Sequence, residues 1–214
     1  MVRLGTKDCA GCSVCCHGMD NMIVLDPYDV FRLGRDGGLS FDDLLAKKYI
    51  SLSVIDSLVL PCLAMRETEN AGKEPGIKEG ENPCMFLNEE GRCSIHAYRP
   101  GLCRLYPLGR YYEGNDFSYI LQVHECGRMK TKVRISQWLG EPQLPVYEQY
   151  IKDWHRLVRD LGNLVDSSSR ELGGRLCVQL LQTFFRRGWD YTSSFYPQFD
   201  QLLPESRRAF SLAP

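Results

Sequence analysis

Apolar and polar positions follow two regimes along this chain, and the change falls near Pro145. Beyond it, Tyr147, Ile151, Trp154, Leu157, Val158 and Leu161 recur at helical spacing and predict one amphipathic helix. A second is predicted from about Ser169 to Arg187, burying Leu172, Leu176, Leu180, Leu181 and Phe184. A short third helix is predicted over Phe195 to Leu203, ending before Pro204.

Ahead of Pro145 the predicted elements are short. Asp26-Pro27-Tyr28-Asp29 reads as a helix start: Asp26 can cap, Pro27 fits the first helical position, and Asp29 suits the first turn. Gly34 to Gly38 should end that helix. Ser40, with Asp43 three residues on, predicts the cap of a second helix carrying Phe41, Leu44, Leu45 and Tyr49. Residues 50–60, leucine-rich and β-branched with partial alternation, predict a strand. Residues 66–82 are polar, with three Gly and one Pro, and predict a mobile loop. Two hairpins should follow. In the first, Met85-Phe86-Leu87 and Cys93-Ser94-Ile95 flank Asn88 to Gly91; in the second, Tyr111-Tyr112 and Phe117 to Val123 flank Glu113 to Asp116.

Composition adds bounds. The chain has 214 residues, enough to bury a core without a metal to compensate for small size. Its formal net charge of −1 offers no basic face, so nucleic acid is not expected as a partner. Arg186-Arg187 and Arg207-Arg208 read as solvated helix charges. No apolar run approaches the roughly 18 residues that span a bilayer, so no membrane association is expected. The N-terminal stretch lacks the apolar region of a secretory signal, and the expected location is cytoplasmic.

Cysteine changes the picture. There are ten, and nine of them lie between Cys9 and Cys126. A reducing compartment keeps thiols reduced, so such density points to metal or redox chemistry rather than to disulfides. The run Cys9-Ala10-Gly11-Cys12-Ser13-Val14-Cys15-Cys16 spaces three thiols as in the bacterial ferredoxin run, and its small residues ease the tight turn. The fourth position departs from that run. Adjacent residues rarely aim both sulfurs at one small ion, so Cys16 serves a second centre or one of the pair is free. Cys84, Cys93, Cys103 and Cys126 follow at spacings of nine, ten and twenty-three residues, which form no zinc-ribbon pair of knuckles. Four thiols there and four in the first run would suffice for two tetrahedral centres.

These motifs carry a resemblance. The first run, followed by Pro83-Cys84-Met85-Phe86-Leu87, Gly91-Arg92-Cys93-Ser94-Ile95-His96 and Arg99-Pro100-Gly101-Leu102-Cys103-Arg104-Leu105-Tyr106-Pro107, resembles the YkgJ-type cysteine-cluster (CxxCxxCC) family over roughly residues 5–130. That family is described as zinc- or iron-chelating and shares its pattern with flagellin lysine methylases. The resemblance implies Cys9, Cys12, Cys15, Cys16, Cys84, Cys93, Cys103 and Cys126 as metal ligands, with iron–sulfur favoured as cargo. The expected fold, from the pattern of elements, is α+β: a small irregular metal-centred domain with short hairpins and helices over residues 1–140, then a helical C-terminal region, 141–214, packed on it.

Thiolate ligands exclude hard cations and leave zinc, copper(I) or iron–sulfur. Zinc would mean closed structural sites. Iron–sulfur, as 4Fe-4S in one or two centres, agrees with the ferredoxin-like spacing. Arg99 and Arg104 are candidate cofactor-binding residues, since guanidinium donors can neutralise a net negative thiolate site. His96 has two readings, ligand or hydrogen-bonded structural residue, and the structural one is favoured; His17 stays open, while His124 and His155 carry no supporting context. Cys62 is read as a buried apolar thiol, and Trp138, Trp154 and Trp189 as core aromatics.

Three functions fit this pattern. The favoured one is a cluster-binding protein with an electron-transfer, redox or sensing role and an unidentified protein or redox partner. The alternatives are a metal-dependent protein-modifying enzyme, such as a lysine N-methyltransferase, and a structural zinc protein. Against an enzyme, no Gly-rich cofactor loop follows a strand, and the Cys-x3-Cys-x2-Cys run of radical S-adenosylmethionine chemistry is missing.

Cys177 sits beside the apolar stripe of the second helix, away from both cysteine groups. Cys177→Ala should therefore leave metal content unchanged and cost about 1 kcal/mol, as a modest core truncation does. Metal analysis and a urea melt of the variant check both parts.

Overall fold

The computed structural model describes residues 2–4, 12–67, 82–122 and 131–213; for 2–4, 131 and 132 only the backbone is considered. The predicted loop at 66–82 lies mostly outside these residues, as do Cys9, His124 and Cys126.

Strand β1 (Val2–Leu4) opens the chain, and α1 (Pro27–Gly37) is the first regular helix. The predicted cap is there. Asp26 accepts the Asp29 N–H at 2.9 Å, and the Asp29 carboxylate accepts the Asp26 N–H at 3.2 Å. Gly38, at φ 65°, ends the helix in the left-handed conformation that glycine adopts without a side-chain clash. Helix α2 (Phe41–Ala46) repeats the device with Ser40 and Asp43 and buries Phe41 and Leu44; Tyr49 lies past its end.

The segment predicted as one strand is two. β2 (Ile50–Ile55) and β3 (Leu58–Leu63) pair antiparallel from Ile50↔Leu63 to Ile55↔Leu58. Asp56 and Ser57, at φ 43° and 69°, form the tight turn between them. The first predicted hairpin is also corrected. Its flanks make only an isolated Leu87↔Cys93 bridge, and His96–Tyr98 is a 3-10 turn rather than the end of a strand. A short helix follows, α3 (Gly101–Leu105), then the second predicted hairpin, β4 (Leu108–Glu113) and β5 (Asp116–Leu121). β6 (Thr131–Val133) pairs antiparallel with β1, and α4 (Ile135–Leu139) leads into the helical region.

That region comprises α5 (Leu144–Asp166), α6 (Arg170–Leu181) with a π-helical turn over Gln182–Arg186, and α7 (Phe195–Ala209). Helix α7 does not stop before Pro204 but continues through it. Proline removes one backbone donor, while buried Leu202, Ser206 and Arg207 anchor the helix on both sides. Arg207 is not a solvated charge: its guanidinium bonds Asp160 at 2.8 Å and the Ala213 carbonyl at 2.6 Å. Leu172, expected in the core, is 38% exposed. Trp138 is half-buried, its Nε1 donating to the Leu105 carbonyl at 3.2 Å. Trp154 and Trp189 are buried as expected.

The fold is thus α+β, with small hairpins and short helices leading into a longer helical region. Its apolar core crosses residue 140 without a break. Phe31 of α1 lies 5.3 Å from Phe195 and 6.5 Å from Trp189, ring to ring, and Tyr150 of α5 lies 5.1 Å from Phe195 and 4.8 Å from Phe199. One turn further along the same face of α5, Trp154 meets Phe184 at 5.3 Å. Helix α1 therefore carries its apolar face into the helical region while its N-terminal end reaches the cysteine-rich segments.

Because Phe195 is 2% exposed and meets rings from α1, α5 and the 187–195 turn, Phe195→Ala should cost about 3–5 kcal/mol. Urea denaturation should show a lower midpoint at unchanged m, with tryptophan fluorescence and far-ultraviolet circular dichroism moving together.

Candidate metal centre

The site begins with a backbone pairing between segments more than sixty residues apart in sequence. Ser13 to Cys16 wind into a 3-10 turn, with the Cys16 N–H on the Ser13 carbonyl at 2.7 Å. The chain then lies against residues 82–84. Cys84 donates to the Cys16 carbonyl at 2.7 Å, Gly18 donates to the Asn82 carbonyl at 2.9 Å, and His17 pairs with Pro83 in a β-bridge. His17 is buried and its Nδ1 lies 3.0 Å from the Ser13 carbonyl, which braces the same turn. Beyond Cys84 the Leu87↔Cys93 bridge returns the chain, and α3 supplies Cys103.

Five thiols come within electrostatic reach of one another as a result: Cys15, Cys16, Cys84, Cys93 and Cys103. Each is partly or fully buried; Cys16, Cys84 and Cys103 each feel the charge of two or more of the others, Cys93 feels that of Cys15, and Cys15 is hydrogen-bonded to Cys16. The Cys15 and Cys16 thiols hydrogen-bond to each other. The hydrogen bond from Cys16 lowers Cys15 to about 7, helped by the Arg99 guanidinium, and the same bond pushes Cys16 up. Burial pushes Cys84 up to about 11 and also raises Cys93 and Cys103, with the neighbouring thiolates adding to the rise. Among the described residues, no three Cys, His, Asp or Glu side chains stand at the spacing of ligands around one ion. A single tetrahedral zinc would need its sulfurs about 3.8 Å apart, from a Zn–S bond of about 2.3 Å.

The other candidates fall as follows. Cys12 is half-buried at the start of the first turn. Cys9 and Cys126 lie outside the described residues. The β1–β6 pair nonetheless brackets them: Leu4, five residues before Cys9, pairs with Thr131, five residues after Cys126. Cys62 is fully buried on β3, its Sγ 3.9 Å from the Leu60 carbonyl, and Cys177 is buried with its Sγ 3.9 Å from the Ser57 carbonyl. Arg99 stands beside the thiols, and its charge acts on Cys15 and Cys93. It donates from Nη1 to His96 Nε2 at 2.7 Å, and burial and Arg99 together lower the His96 pKa, so the ring is a neutral acceptor. Arg104 is committed elsewhere. It donates to the Leu139 carbonyl at 3.0 Å, pairs with Glu141, and lies between the rings of Tyr28 and Tyr147 at 5.8 and 5.6 Å. The N–H groups of Arg104 without a hydrogen-bond partner thus have aromatic faces beside them.

One residue of the site was not singled out as functional from the sequence. Asp29, 2% exposed, accepts the Gly101 N–H at 2.6 Å and so reaches the first turn of the Cys103 helix. Burial, then the neighbouring Asp26 carboxylate, pushes it up to about 7. Its capping position was visible in the sequence; its second partner, 72 residues away, was not.

The donor set suits a soft thiophilic metal, since every group in the cluster of five is a thiol. The family model for the CxxCxxCC cysteine cluster, described as a "putative zinc- or iron-chelating domain", matches residues 8–127. The chain belongs to this family. No curated protein and no solved structure matches it. Among the described residues, no helix is long and apolar enough to cross a membrane.

In metal-free protein, iodoacetamide should modify Cys15 with a midpoint near pH 7, below that of Cys84 near 11. Arg99 holds the Cys15 thiolate down, so Arg99→Ala should move the Cys15 profile to higher pH. Peptide mass spectrometry across pH 6–12 reads both midpoints.

Proposed function

We propose that this chain is an iron–sulfur protein whose 4Fe-4S cluster serves electron transfer or redox sensing with a protein partner. The observation that carries this reading is that five thiols from three separate segments lie within electrostatic reach of one another, on a chain whose first cysteine run has ferredoxin-like spacing. Cys15, Cys84, Cys93 and Cys103 would be the four ligands of one cluster, and Cys9, Cys12, Cys16 and Cys126 would serve a second centre. A bound cluster supplies one-electron chemistry. The protein's contribution is to bury the thiols, keep them apart from water and offset their charge with Arg99. The pairing of residues 16–18 with 82–84 would hold the ligand geometry constant between oxidation states.

Protein purified anaerobically should be brown and contain iron with acid-labile sulfide. Cys84→Ala, Cys103→Ala and Cys126→Ala should each lower the iron content, and a peptide ending before Cys84 should bind metal poorly. A colourless preparation with stoichiometric zinc from iron-replete cells would overturn the iron–sulfur reading and leave a zinc-chelating domain.

A further inference from the structure

Helix α3 carries Cys103 yet has no cap of its own. Its N-cap position is Pro100, which has no side-chain donor or acceptor to offer the first turn. The Gly101 N–H is one of the orphan donors that every helix start leaves, and here it is buried. Asp29, from α1, fills the vacancy: Oδ1 accepts Gly101 N–H at 2.6 Å while Oδ2 accepts its own helix's Asp26 N–H at 3.2 Å. One carboxylate therefore closes two helix starts at once. The approach is close on all sides. A side chain at Gly101 would meet Tyr147 Oη at 3.1 Å, Asp29 Oδ1 at 3.6 Å and Arg104 Nη2 at 3.8 Å. The far end of α3 is held independently, by Arg104 on the Leu139 carbonyl and by the Trp138 bond to Leu105. Cys103 sits between these two anchors, two residues from Gly101.

We infer that Asp29 is a positioning residue of the metal centre, acting as a cap in trans that fixes where the Cys103 thiol enters the site. This rests on Cys103 being a ligand. Without the carboxylate, the first turn of α3 loses its buried acceptor and is free to rotate about its C-terminal anchors. The displaced thiol then leaves the coordination sphere while the rest of the chain remains folded. Asn keeps a carbonyl for Gly101 but loses the acceptor for Asp26, whereas Ala loses both.

The test uses the full chain loaded with Co(II) as a probe, because its visible absorption reports the number of thiolate ligands whichever metal the protein normally carries. Four variants are compared with the parent: Cys103→Ala, Asp29→Ala, Asp29→Asn and the double variant of Cys103→Ala with Asp29→Ala. The Cys103→Ala spectrum should change, losing thiolate-to-cobalt absorption. Asp29→Ala should show the same altered spectrum with about 10–100-fold weaker Co(II) binding, the usual cost of losing a partner that orients a ligand. It should add no further loss in the Cys103→Ala background. Asp29→Asn should restore most of the parent spectrum. Circular dichroism and the melting temperature tell a folding defect from a displaced ligand, and Asp29→Asn supplies a folded comparison if Asp29→Ala fails to fold. If Cys103→Ala keeps the parent spectrum, Cys103 is no ligand, and both the ligand assignment and this inference fall. If Cys103→Ala changes the spectrum while a folded Asp29→Ala keeps it, the positioning role alone is overturned. A folded Asp29→Asn with the Cys103→Ala spectrum overturns it too, because the acceptor at Gly101 would then be irrelevant.

Discussion

The site depends on a short antiparallel backbone contact, in which residues 16–18 lie against residues 82–84. Thiols distant in sequence have no attraction for each other, and as thiolates they repel. Something other than sulfur must bring them together. Main-chain hydrogen bonds are suited to this, since they set register without reference to side-chain type and are costly to leave unmade once buried. The Cys16 carbonyl and the Cys84 N–H belong to candidate ligands themselves, so the frame and the donor set are built from the same residues. A side-chain substitution in either segment leaves this register intact.

Helix α1 gives the frame its rigidity. Its apolar face sits among Tyr150, Phe195 and Trp189, and its capped end reaches α3. The aromatic core and the thiol cluster are therefore joined within about one turn of α1, from Tyr28 to Phe31. Arg104 plays the matching part on the other side, tying α3 to Leu139 and Glu141 just before α5 begins. Packing in the helical region is in this way felt at the cysteines, though none of its side chains belongs to the group of five thiols.

What could be read in advance was local. The caps of α1 and α2 rest on residues three apart, Asp26 with Asp29 and Ser40 with Asp43, and both formed as expected. Helical periodicity located α5, α6 and most of α7. The cysteine spacings pointed to the chemistry and the family. What escaped was decided at a distance or by an unusual local choice. The turn at Asp56-Ser57 uses left-handed backbone on aspartate and serine, a weaker turn signal than glycine or asparagine would give, and the apolar run around it reads as one strand. Pro204 looks like a stop until the flanking burial is known. Arg207 looks solvated until Asp160, 47 residues earlier, comes to meet it. Arg104 reads as a counter-charge for thiolates, and its actual partner, Glu141, has no motif to announce it.

The burial of the thiols has a consequence for how the site fills. At neutral pH, burial and mutual repulsion leave protons on Cys16, Cys84, Cys93 and Cys103. Ligation requires sulfur without its proton, so loading is an exchange of protons for metal. Each proton released makes apparent affinity about tenfold weaker per unit of acidification. Metal arriving as a complex with a basic ligand would carry its own acceptor for those protons, whereas a bare aqueous ion would acidify the site as it entered.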